Sequence, residues 1–373
     1  MAKEKERLLF PDDLPSGKLS QIFNHTTTSY KLYWFWSILD LIKQRPLESI
    51  FTFDEIIRGM LEKVWYPSVY FHLNFGKLDR LSDVIFEIKH SLSLPDNELE
   101  IIRKIQSFYE SGAKNNVSKE IEKFQKYVPF RLLSPWFSGL DNDDVVKSAN
   151  QSFQNHSNLP LYRFRTNDGK IAESQASSFS IEIQPRWKAF LLQNYILIEE
   201  YTLWNLTEYL QKKNPNIPAI QNKLRRPISR NLSSVRKFFY HYLSKHPAEA
   251  TCIYSGQSFS LDSFAVDHFI PWSYVTHDQV WNLIPTVQEI NSKKSNSLPD
   301  ARFIEPMILR QMKVRDFAIE NRYRFIAEDF DVLGIPDRHS KGSEAVFKEK
   351  LSDTFSTQLK IARNSGFPIW HYP

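Results

Sequence analysis

Cys252-Ile-Tyr-Ser-Gly256, Ala265-Val-Asp-His-Phe-Ile-Pro-Trp-Ser273, Trp281-Asn-Leu-Ile-Pro285 and Asn291-Ser-Lys-Lys-Ser-Asn296 are four short runs within one segment of the chain. Asp267 and His268 are adjacent, Asn282 follows fourteen residues after His268, and Asn291 nine after that. Lys294 stands three residues beyond Asn291. Apolar residues flank these polar positions: Phe264, Val266, Phe269 and Ile270 on one side, Trp281, Leu283 and Ile284 on the other. Polar side chains set in an apolar frame are what a preorganised site requires.

The residue types suit phosphodiester hydrolysis. That reaction needs an activated water, a cation beside crowded negative charge and a stabilised leaving oxygen. An imidazole titrates near neutral pH, so His268 suits the base. Asp267 offers a hard carboxylate oxygen and Asn291 a carbonyl oxygen. Such ligands, completed by water and phosphate, describe Mg²⁺ (or Mn²⁺) better than zinc.

The pattern resembles the HNH, or ββα-metal, nuclease family, and within it the HNH domain of Cas9-type enzymes. There too an Asp-His-hydrophobic-hydrophobic-Pro run is followed by Asn and then by Asn-x-x-Lys-Ser. The resemblance covers roughly residues 248–300. It implies that Asp267 and Asn291 hold the metal and that His268 activates the water. Asn282 would tie the loop together or orient His268, and Lys294 would complete the catalytic group, its alternative being a solvated helix charge. Many family members carry His where this chain has Asn291. Several carry Cys-x-x-Cys pairs on a structural zinc, but here the segment reads Cys252-Ile-Tyr-Ser255 and a partner pair is absent, so no structural zinc is expected.

Length and composition set the frame. A chain of 373 residues suggests two or three domains. The net charge of +5 is mild, so the placement of charge matters more than its sum. A single cysteine, Cys252, excludes disulfides within the chain and fits a reducing cytoplasm. The charged start Met1-Ala-Lys-Glu-Lys-Glu-Arg lacks a following apolar run, and the stretch Leu32 to Ile42 is too short to span a bilayer. The expectation is a cytoplasmic protein not embedded in a membrane.

The first half reads as helical. Trp34, Ile38, Leu41 and Ile42 recur at three-and-four spacing, and Phe53, Ile56, Ile57, Met60 and Leu61 form a second run behind Asp54 and Glu55. Further helices are expected at 80–92, 97–110 and 117–128. The aromatic clusters Tyr30 to Trp36 and Trp65 to Phe75 read as core in preference to base-stacking surface. Residues 139–160, rich in Asp, Asn and Ser, read as a polar linker.

Leu161-Tyr-Arg-Phe164 and Phe179-Ser-Ile-Glu-Ile183 read as strands around Asn167-Asp-Gly169, and Pro185 opens one long helix ending by Asn214-Pro215. From Gln211 to Ala248 the chain holds no Asp or Glu. Lys223, Arg225, Arg226, Arg230, Arg236 and Lys237 in that span, with Lys293, are the expected nucleic-acid-binding residues; the alternative is a solvated basic face. In the nuclease module, Ala250 to Tyr254 and Ser263 to Phe269 are expected strands, Val287 to Ser295 the helix bearing Asn291, and Asp300 to Arg324 a following helix.

The expected architecture is α+β. A helical N-terminal domain (1–138), possibly a partner- or target-sensing one, is followed by a linker (139–160). A strand pair, long helix and basic segment come next (161–247), then the ββα-metal module with its following helix (248–330) and a C-terminal helix and tail (331–373). The expected function is a metal-dependent endonuclease on nucleic acid, DNA first, in bacterial defence or restriction. The alternatives are an inactive HNH-fold binding module and an RNA-directed nuclease.

Overall fold

The computed structural model describes residues 14–96, 98, 100–110, 116–155, 158–227, 231–334 and 343–372. The chain divides into two compact units, Met1–Asn214 and Pro215–Pro373. This differs from the expected division, because the strand pair and long helix after residue 160 belong to the first unit.

The first unit is built around α1 (Tyr30–Gln44), in which Leu32 through Leu39 are all buried. A helix apolar on every side must be surrounded, and α1 packs against α2 (Phe53–Trp65), α5 (Asn116–Leu132), α7 (Pro185–Gln193) and α8 (Tyr195–Lys213). The start of α2 is fixed by a capping box: Thr52 Oγ1 accepts from Glu55 N, and the Thr52 N–H donates to Glu55 Oε2 at 2.8 Å. Next come α3 (Leu81–Leu92), α4 (Ile101–Glu110) and α6 (Asn142–Ser152). A three-stranded antiparallel sheet, order β1-β3-β2, joins β1 (Ile50–Thr52), β2 (Tyr162–Arg165) and β3 (Ser180–Ile183). Phe51 and Phe164 both register with Ile181, so the apolar face is continuous across the sheet.

Two local expectations are corrected here. The polar stretch 139–160 contains α6, because Asp141 caps its first turn through Asp144 N and Val145, Val146 and Ala149 bury one face. The long helix after Pro185 is two helices, since Asn194 leaves helical geometry (φ −110°, ψ 24°) between α7 and α8.

The second unit holds α9 (Ser233–Lys245), the antiparallel pair β4 (Ala265–His268) and β5 (Leu283–Thr286), the single turn α10 (Trp272–Val275) and α11 (Gln288–Lys294). It continues with β6 (Leu298–Pro299), α12 (Ile304–Glu320), α13 (Arg324–Asp331), α14 (Ser343–Asn364) and β7 (Ile369–Trp370), which pairs in parallel with β6. The strand expected over Ala250–Tyr254 is not a strand. Gly256 at φ +69° lets that segment turn, Gly256 N bonds back to Cys252 O at 2.8 Å, and only an isolated bridge joins Thr251 to Ser258. The partner of β4 is instead β5, in register His268–Leu283 and Asp267–Ile284, with every β5 residue buried. Phe355 of α14 lies beneath this pair, with ring centroids 4.8 Å from Phe269 and 5.9 Å from Trp281. Among the described residues no helix is long and apolar enough to cross a membrane.

Candidate active site

Asp267 and His268 are neighbours on β4, so their side chains leave opposite faces of the strand. Both are buried. Each therefore needs its own partners, and the structure supplies two separate sets.

On the Asp267 side, Tyr254 Oη donates to Oδ2 at 2.7 Å and Lys294 Nζ lies 3.1 Å from both carboxylate oxygens. Lys294 also donates to the His268 carbonyl at 2.7 Å. Its ammonium is fully buried, and that burial lowers its pKa although Asp267 pulls the other way. Lys294 is thus no solvated helix charge; it ties α11 to β4. Asn291 lies one turn earlier on α11, on the same helix face. It is half-buried, and its side-chain amide has no hydrogen-bond partner among the described residues. The C-terminal tail supports this side: Trp370 packs edge-on against Tyr254 at 5.3 Å, and burial with the nearby Asp267 raises the Tyr254 phenol well above its ordinary range.

On the other side, His268 Nε2 lies 2.8 Å from Asp278 Oδ1. An ionised carboxylate only accepts, so Nε2 is the donor in this pair. Asp278 was not among the candidate residues. It stands in the loop between α10 and β5, where neither helix nor strand periodicity reports on side-chain direction. That loop is held by several bonds. Thr276 adopts φ +55°, an uncommon conformation for a β-branched residue. Val280 N donates to Asp329 Oδ2 at 2.7 Å. Asn282 closes a two-bond bridge with Ile270, accepting from its N–H at 2.8 Å and donating to its carbonyl at 2.9 Å. Asn282 therefore fixes the turn that follows His268. His277, beside Asp278, is pushed down to about 4 by burial first and then by His268, and is neutral at pH 7.

The candidate nucleic-acid-binding residues are not alike. Lys223 is a correction: it is fully buried, with Nζ 2.6 Å from Pro218 O and 3.4 Å from Thr276 Oγ1, and burial brings its pKa down to about 7. It supports the Asp278 loop from beneath and offers no surface charge. Arg225, Arg226 and Lys237 are exposed. Arg236 is exposed but stacks over Phe264 at 4.7 Å and donates to Asp262 O at 3.3 Å. Lys293 is exposed and pairs with Glu289 at 2.6 Å. Arg230 lies outside the described residues.

As to metal, Asp267 and Asn291 are a hard oxygen set, and an ionised carboxylate has about four lone-pair sites, of which Tyr254 and Lys294 take only part. The donor chemistry fits a divalent cation that keeps most of its shell as water and phosphate. Among the described residues no group of three or more His, Cys, Asp or Glu gathers as a metal set. The Cys252 thiol lies 3.0 Å from Thr286 Oγ1.

The model of the HNH endonuclease family matches residues 252–300. This segment is an HNH domain. The match spans β4, β5 and α11 and includes Asp267, His268, Asn282, Asn291 and Lys294. It places the HNH domain in a family of nucleases acting on nucleic acid. No curated protein and no solved structure gave a match.

Proposed function

We propose that the protein is a metal-dependent endonuclease that hydrolyses phosphodiester bonds in DNA, with His268 as general base. The observation that carries this reading is the His268–Asp278 pair at 2.8 Å inside the HNH domain. Asp278 holds the imidazole in the tautomer whose Nδ1 accepts a proton from water, and it stabilises the imidazolium that forms. Asn282 keeps the strand end in place, so the ring does not drift from its partner. Asp267 and Asn291 would hold a divalent ion, Mg²⁺ in preference to zinc, which when bound would neutralise charge on the phosphate and the leaving oxygen. Lys294 then orients Asp267 through its buried ion pair. The exposed Arg225, Arg226 and Lys237 supply contacts to the phosphate backbone. A setting in bacterial defence or restriction, in the cytoplasm, is supported only by the family's general character.

The ion pair between Lys294 and Asp267 favours a second reading, an HNH-fold binding module without turnover, because the carboxylate already faces one cation. Nicking of supercoiled plasmid in Mg²⁺, Mn²⁺ and EDTA arms decides between them. Metal-dependent cutting that His268→Ala abolishes supports the nuclease. Binding without cutting in every arm supports the module. Cleavage of single-stranded RNA with intact plasmid would move the substrate from DNA to RNA.

A further inference from the structure

The first unit contains a concave site with unbalanced positive charge. A cavity of about 570 Å³ opens between the segment leading into α1, from His25 to Lys31, and the face of α5 that carries Phe124, Tyr127 and Arg131. Its size is that of small-molecule sites. Lys31 and Arg131 both line it, and neither has an ion-pair partner among the described residues. Among the described residues the Lys31 ammonium reaches only the Ser134 hydroxyl, at 3.3 Å. Burial first, and then the facing Arg131, depress its pKa. Lys31 is half-buried and Arg131 exposed, and an anion seated between them would relieve their mutual repulsion.

The nearby carboxylates are already committed. Glu120 pairs with Lys123 at 2.7 Å and Asp83 with Arg80 at 2.7 Å. Asp79, behind the start of α1, accepts from Ser29 N and Oγ at 2.6 and 2.7 Å and from Leu81 N at 3.1 Å. Aromatic surface lies beside the cations. Tyr127 is 38% exposed, with the Arg131 guanidinium 5.0 Å from its ring centre, and Tyr30 packs against Phe124 at 4.9 Å. Thr27 and Thr28 add hydroxyls to the rim.

We infer that this cavity binds a small ligand carrying both a phosphate and a flat ring, of mononucleotide size. Lys31 and Arg131 hold the phosphate, the latter through its planar fork. Tyr127, over whose ring Arg131 and Lys126 lie at 5.0 and 5.5 Å, offers its exposed edge to the ligand's ring. The inference stands apart from the nuclease assignment, since every residue it uses lies in the first unit.

Calorimetric titration of the full chain with the four ribonucleoside 5′-monophosphates tests it, with inorganic phosphate and adenosine as the two halves of the ligand. At least one nucleotide should bind more tightly than either half. Lys31→Met and Arg131→Met should each weaken it by about tenfold or more, the loss expected for a hydrogen bond to a charged group. Tyr127→Ala should weaken nucleotide binding about fivefold or more while leaving inorganic phosphate unchanged. Arg131 and Tyr127 lie on an exposed helix face, so these variants keep the fold, which melting curves verify. The inference is overturned if none of the four nucleotides binds at millimolar concentration, or if their affinity is the same in Lys31→Met and Arg131→Met. It is also overturned if only a 5′-phosphorylated oligonucleotide binds in a manner those variants abolish, which would make the cavity a strand-end site.

Discussion

The two units bury different things. In the first, the interior is aromatic and aliphatic, from Trp34 and Phe35 to Trp65 and Trp187, and Asp79 is its one buried charged residue among those described. In the second, Lys223, Asp267, His268, Lys294, Arg310 and Arg315 are all buried. Burying a charge costs several kcal/mol unless it is paired and hydrogen-bonded. Three of the six, Asp267, His268 and Lys294, belong to the proposed site, while Arg310 pairs with Glu249 at 2.8 Å and Lys223 braces the Asp278 loop. The residues of the proposed active site lie in the unit whose interior is polar.

The sharpest way to break the contrast is kinetic. His268→Ala should lower plasmid cleavage by about 10²–10⁴-fold with little change in melting temperature. Asp278→Asn, which loses the carboxylate that fixes the tautomer, should cost about 10–10²-fold. A fully active Asp278→Asn would show that the pair is structural only.

Stability comes next. Lys294→Met leaves Asp267 buried with Tyr254 alone and should destabilise the second unit by roughly 3–5 kcal/mol. Glu48→Gln, which breaks the exposed pair with Arg45 in the first unit, should cost under about 1 kcal/mol. Equal shifts in denaturant midpoint for the two variants would erase the distinction between buried and surface charge. Trp34→Ala should cost about 3–5 kcal/mol by loss of packing alone, and it should leave the Mg²⁺ titration of cleavage unshifted.

A pH series sharpens the comparison further. Lys223 titrates at about 7 in the folded protein, below its ordinary value of 10.5. Between those values the unfolded chain binds more protons, so this group makes stability rise with pH. Below pH 7 both states are protonated and the penalty is constant. Lys223→Met should therefore exceed wild type in melting temperature most at or below pH 7, with the gap closing toward pH 10. A gap that widens with pH would contradict a buried, charge-averse lysine.

The smallest expected effect is that of chelation on stability. Ser255 stands where a second thiolate would be needed for structural zinc, and the HNH hairpin is packed by Phe264, Phe269, Trp281 and Phe355. EDTA should shift the melting temperature by no more than about 2 °C, a change on the order of 1 kcal/mol or less, while it stops cleavage. A large drop on chelation, with stoichiometric zinc in the purified protein, would sink this expectation.

Much of this molecule was legible in its sequence. Residue types at fixed spacing picked out Asp267, His268, Asn282, Asn291 and Lys294. Three-and-four periodicity found α1 and α2, and strand composition around a turn found β2 and β3, because those patterns are local consequences of backbone geometry, while the helix carrying Asn291 was expected from the family resemblance. Tertiary structure decided the rest. Asp278 meets His268 only because β5 pairs with β4 and draws the intervening loop back over the strand end. Lys223 reads as one more cation in a basic run, and only the packing around Pro218 and Thr276 takes it out of water. The polar stretch with α6 gave no linker, because a capping aspartate and three small apolar residues outweighed its composition. Charge and spacing are written in the chain, but which charges leave solvent depends on surfaces that form only when distant segments meet.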